Sequence, residues 1–156
     1  MTATAVPLLE DAIEIDASPA DVWDLVRDVC RMHEWSPQVT STRLRAGFDE
    51  VDLGTQFTNR NHHGELVWTT HGEVVRFVPE REIAFRIEEN WAVWSFRIEP
   101  TDRGTRLTQR RELPDGISQL SVDLTDGFLG GQEDFTVVLR DGMRQTLGRI
   151  KAAAES

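Results

Sequence analysis

The chain has 156 residues, 39% hydrophobic and 28% charged, a size and balance that suit a single domain (1–156) able to bury its own core. Its 27 acidic against 17 basic residues leave a net charge of −10, which repels nucleic-acid phosphates and anionic membrane surfaces and so excludes both as expected partners. Cys30 is alone, which rules out an intrachain disulfide or a cysteine metal cluster; no run approaches the ~18 apolar residues that span a bilayer, and without a leader pattern the expected location is cytoplasmic.

In chain order, Leu9, Asp11, Ile13 and Ile15 alternate with Glu10, Ala12, Glu14 and Asp16, which predicts a strand over 9–16. Ser18-Pro19-Ala20-Asp21 is a helix start, with Ser at the N-cap and Pro at the first helical position. Val22, Leu25, Val26 and Val29 follow at helical spacing, so a short amphipathic helix is expected over 19–28. A second short helix is expected over 28–35, ended by Ser36-Pro37, with Trp23 and Trp35 offered to a common apolar surface.

From Val39 to Glu112, runs rich in Val, Ile, Thr, Phe and Trp are punctuated by Ala46-Gly47, Asn61-His62-His63-Gly64, Pro79-Glu80-Arg81, Glu89-Asn90 and Asp102-Arg103-Gly104. They predict strands over 39–46, 54–61, 65–78, 83–89, 92–99 and 104–112, joined by short turns and hence antiparallel, with one face covered. The cover is a helix over about 131–153, where Phe135, Val138, Leu139, Met143, Leu147 and Ile150 form a stripe; at 1.5 Å per residue it spans ~33 Å. Residues 113–130 are a Gly- and Asp-punctuated connection.

Ile15-Asp16-Ala17-Ser18-Pro19 followed by Val22-Trp23, then Asp28, the Trp35-Ser36-Pro37 turn, Gly54-x-x-Phe57-x-x-x-Asn61, Trp68-Thr69-Thr70, Pro79…Phe85, Trp94-x-Phe96 and Gly104-Thr105-Arg106-Leu107-Thr108 carry a resemblance. Over about 9–153 the chain resembles the helix-grip, START-like (SRPBCC) superfamily, and within it the polyketide cyclase/dehydrase branch. The resemblance implies an α+β helix-grip fold: a seven-stranded curved antiparallel sheet wrapped around a long C-terminal helix, with two short helices after strand 1. It also implies an elongated apolar cavity between sheet and helix that takes a hydrophobic, aromatic polyketide-like or lipid-like small molecule. The same fold serves carriers, cyclases and dehydratases, and so does not decide between them. No cofactor or metal is implied. Sheet-edge strands leave the chain a monomer or a homodimer.

Strand parity selects the residues expected to face that cavity. They are Phe57, Asn59 and Asn61; Leu66, Trp68, Thr70 and Gly72; Ile83, Phe85 and Ile87; Trp94, Phe96 and Ile98; and Leu107, Gln109 and Arg111. A bulge would shift parity by one, and the strand over 65–78 is long enough to hold one. Trp35 and Met143 complete the expected lining from the helical side. A mostly apolar cavity with a few convergent polar groups suits a small-molecule site.

Arg111 is the sharpest candidate: an inward guanidinium either meets a ligand oxygen, where it could hold an enolate, or pairs with Asp11 or Glu112 at the sheet edge. Asn59 and Asn61 either bond a ligand oxygen or satisfy backbone at the hairpin turn. Trp68 and Trp94 either stack on a ligand or are core. His33 is the candidate proton carrier at the cavity mouth, against the reading that it is a solvated helix residue. Of the metal-type residues, His63, His71 and Glu73 fall on the outer face or in a turn. No Gly-x-Ser-x-Gly elbow is present and Cys30 has no base, so nucleophilic catalysis has no support. The chain has no Tyr, whereas several of the cyclases it resembles place one in the cavity.

Overall fold

Alternation over LEDAIEI builds β1 (Leu9–Ile15), whose Leu9 and Ile15 are buried while Glu10 and Glu14 reach solvent. The computed structural model describes residues 9–114 and 131–156, with side chains from 136 onward in the second stretch. Ser18 caps α1 (Pro19–Val26), its hydroxyl accepting from the Asp21 N–H at 3.2 Å, and Pro19 opens the helix. The second short helix is a 3-10 helix (Val29–Glu34), not an α-helix, capped by Asp28 Oδ1 on the Cys30 N–H at 3.1 Å. Six residues between that cap and Trp35 leave room for only two tight turns before Ser36, which its following proline keeps out of the helical region. At three residues per turn, Val29, Met32 and Trp35 share one buried face and His33 is turned to solvent.

β2 (Val39–Leu44), β3 (Gln56–His63), β4 (Leu66–Val78), β5 (Glu82–Ile87), β6 (Val93–Thr101) and β7 (Gly104–Glu112) join β1 in one curved antiparallel sheet of seven strands, ordered β1-β7-β6-β5-β4-β3-β2. The strands from β2 to β7 form a meander, and β1 closes it against β7. The turn expected at 61–64 is shorter than the sequence suggests. His62 and His63 stay in the ladder, opposite Val67 and Leu66, because Gly64 at φ 60° supplies the positive dihedral that a two-residue hairpin needs. Asn61 is therefore a mid-strand residue, not a turn residue. A register shift between Val74 and Arg76 is the bulge that β4 had room for. Past it parity inverts: Val75 is exposed and Phe77 packs inward, 5.2 Å from the Trp23 ring.

The last helix, α2 (Gly131–Glu155), lies against β1, β7 and α1, with Leu139, Met143, Leu147 and Ile150 buried beneath it. The side chain of Phe135, and the connection over 115–130, lie outside the described residues. The outer face of the sheet has its own cover. Ala84 and Ser95 are buried between Arg76 and Arg110 in the register, and Arg76–Glu82 (3.2 Å), Arg76–Glu112 (3.6 Å) and Arg110–Glu10 (3.0 Å) link the strands above them. Among the described residues, no helix is long and apolar enough to cross a membrane.

Candidate ligand cavity

Register brings the cavity wall together from strands distant in sequence. Asn59 sits opposite Thr70 and Asn61 opposite Trp68 on β3 and β4; Phe85, Trp94 and Arg111 form one row across β5, β6 and β7; Phe96 and Gln109 form the next. These residues line a cavity of about 270 Å³, closed by Leu139 and Thr146 of α2 and by Met32, Ser36 and Gln38. So Asn59, Asn61, Trp68, Thr70, Phe85, Trp94, Phe96, Gln109 and Arg111, all selected by strand parity, meet around one space.

Other expected lining or site residues lie elsewhere, and Ile83, Ile98 and Leu107, though inward, are packed in the core. Phe57 is fully buried one layer back, edge-to-face with Phe85 at 5.5 Å, and its ring fills the space left by Gly72, which has no side chain to line anything. Trp35 is buried in the core beside α1 because the 3-10 helix points it there, and its carbonyl accepts from Arg149 at 3.4 Å. Met143 packs with Leu9 and Leu139 behind Trp94 and is not part of the wall. His33 is exposed and outside the cavity, a third of a turn from the buried face of its helix, so it is not placed to move protons there.

The polar groups of the wall differ in how well they are satisfied. The Thr42 hydroxyl donates to Asn59 Oδ1 at 2.6 Å, and the Asn61 amide donates to Thr70 Oγ1 at 3.0 Å. By contrast Gln109 Oε1 and Gln38 Nε2 are buried with no hydrogen-bond partner among the described residues. Arg111 is 7% exposed, and its guanidinium carbon stands 5.9 Å from the centre of the Trp94 ring. The carboxylates considered for it are engaged elsewhere: Asp11 with Arg144 at 2.7 Å and Glu112 with Arg76 at 3.6 Å. Burial pushes the Arg111 guanidinium down to about 10, which still leaves it charged at neutral pH.

Sequence reasoning missed Met32, Ser36, Gln38, Val39, Glu89, Asn90, Leu139 and Thr146 as wall residues, and it placed Thr69, which also lines the cavity, on the outer face. Thr146 carried a signal: a lone hydroxyl inside the Met143–Leu147–Ile150 stripe, buried all the same. Gln38 follows a proline in a connection and carried none. Among metal-type residues, the described part of the chain groups His71 with Glu88 and Glu89, ligand atoms within 4.8 Å, in place of the His63, His71 and Glu73 set. Here both Glu89 oxygens serve His71: one accepts its N–H at 2.7 Å and the other meets ring Nδ1 at 2.6 Å, which ties the β5–β6 hairpin to β4.

The chain matches a known family over nearly all of its length. The model for polyketide cyclase/dehydrase and lipid transport proteins covers residues 7–155. This chain belongs to that family. None of the curated proteins compared with it matches. Among solved structures, the polyketide cyclase/dehydrase family member described here is similar to the Zhui aromatase/cyclase from Streptomyces sp. R1128, at a TM-score of 0.75 and 16% identity over 96% of this chain and 93% of that one. It is also similar to the di-domain ARO/CYC StfQ from the steffimycin biosynthetic pathway, with TM-score 0.75 and 16% identity over 95% of this chain. It spans half the length of that protein and of the second di-domain ARO/CYC, BexL. The polyketide cyclase-like protein Cgl2372 from Corynebacterium glutamicum is 28% identical over 94% of this chain and 90% of its own, with a TM-score of 0.60.

Proposed function

We propose that this protein binds a hydrophobic small molecule, aromatic polyketide-like or lipid-like, in the cavity between sheet and C-terminal helix, as a carrier or sensor. The observation that carries the reading is the cavity itself: about 270 Å³, its surface mostly apolar, with Trp68, Phe85, Trp94, Phe96 and Leu139 set among polar side chains that include Asn61, Thr70, Gln109 and Arg111. Membership in a polyketide cyclase/dehydrase and lipid transport family supports the ligand class. A cytoplasmic location belongs to the same proposal and rests on the lone Cys30, which needs no oxidising compartment.

A second reading, cyclase or dehydratase activity, is favoured by one observation. Arg111 is a buried cation in the cavity wall, where it would stabilise an enolate; the Asn61 amide expected to help it already donates to Thr70 Oγ1 and to the Trp68 carbonyl. His33 is exposed and does not line the cavity, which supports placing the carrier reading first. Native mass spectrometry after incubation with the neutral probe N-phenyl-1-naphthylamine tests the binding reading. A one-to-one adduct is expected, lost in Thr146→Trp, whose indole would fill the space. An adduct that persists in the variant would place binding outside the cavity.

A further inference from the structure

Three observations on the wall constrain the ligand more narrowly than the hydrophobic-binding reading on which this inference rests. Arg111 is buried with no carboxylate in ion-pair range among the described residues, and the face of Trp94 is its one attractive partner there. An unpaired charge in a low-dielectric site is costly, and a cation–π contact offsets only part of the lost solvation. Two residues before it on the same face of β7, Gln109 buries an amide oxygen that receives no hydrogen. An unmet buried acceptor beside an unmet buried cation asks for a molecule that brings negative charge and a donor together. The Asn59 and Asn61 side chains across the sheet are already bonded to Thr42 and Thr70; besides the β7 pair, the wall holds one more unmet group, the donor Gln38 Nε2, on the far side of the cavity.

Volume sets the size. A dry cavity of about 150 Å³ holds one benzene ring, so about 270 Å³ accommodates a two-ring molecule. Phe85, Trp94 and Phe96 present ring surfaces to it. We infer that the ligand is a compact two-ring aromatic anion, a carboxylate or phenolate, with its anionic oxygen on Arg111 and a hydroxyl or N–H hydrogen on Gln109 Oε1. With a net charge of −10 the protein as a whole repels such a molecule, so selection for the anion comes from the desolvated contact inside the cavity and not from long-range attraction.

Isothermal titration of the full chain with 2-naphthoate and with the near-isosteric neutral 2-naphthamide tests this. A bond from a charged donor to an anion should make naphthoate bind roughly tenfold to hundredfold tighter. In Arg111→Met the ratio of the two affinities should fall to about one. The wild-type comparison decides the matter even if that variant does not fold. Equal affinities, or tighter binding of the amide, would overturn the anion inference while leaving the hydrophobic-binding reading in place. Failure of both compounds to bind would overturn the two together.

Discussion

At Arg111 two physical accounts predict opposite results for one substitution. A buried guanidinium that lacks a protein anion lowers stability, so Arg111→Met, which keeps most of the apolar stem, should raise it by ~1–3 kcal/mol in denaturant unfolding. A fall of several kcal/mol would mean that a structural ion pair had been broken. The same charge gives a pH signature. Its folded value of about 10 lies below that of a free guanidinium, so the cost of burying the charge is present at neutral pH and is relieved as pH rises through about 10, where the unfolded chain holds a proton that the folded chain has released. Stability of the wild type relative to Arg111→Met should therefore rise above about pH 10. The chain has no tyrosine, and Cys30, whose thiol burial pushes up, is common to both proteins, so the difference between them isolates Arg111. Gly72 is a purely steric case. A Cβ there would stand 2.5 Å from the Phe57 ring, and Gly72→Ala should cost ~1–3 kcal/mol by overpacking.

The elements show which sequence signals were legible and which were not. Every strand and the long helix could be read because each has an apolar stripe of a single period against polar neighbours. Parity separated inner from outer faces but not wall from core, since Phe57, Ile83, Ile98 and Leu107 are inward yet packed in the core, and Thr69, expected outside, lines the cavity. The misses come from backbone geometry that periodicity does not encode. Gly64 moved the β3–β4 turn, the 3-10 winding after Asp28 sent Trp35 inward and His33 outward, and the bulge in β4 turned Phe77 to the core. Gln38 entered the wall from a connection with no pattern at all. On α2 the stripe makes a quantitative claim: Leu147 is fully buried, so Leu147→Ala should cost ~2–5 kcal/mol, and a loss below ~0.5 kcal/mol would put it on the solvent side. Gly148, one position on, has open space where a Cβ would go. Gly148→Ala should stabilise the helix by ~0.5–1 kcal/mol, read as a higher thermal midpoint.

At the scale of the whole molecule, a sheet closed by β1 against β7 and gripped by α2 leaves a mostly apolar space that two-sided packing would otherwise have filled. Family membership and fold were readable from chain order and motif; the ligand was not, because the same architecture serves carriers and enzymes and only the identity of the wall side chains distinguishes them. The claim at the centre of the account is that a hydrophobic molecule enters this space and meets Trp68 and Trp94. Tryptophan emission during titration with neutral N-phenyl-1-naphthylamine measures that contact directly. Saturable quenching at one probe per chain is expected, most of it lost when Trp68→Phe and Trp94→Phe are combined, although Trp23, Trp35 and Trp91 remain. Quenching of equal depth and midpoint in that double variant would contradict it.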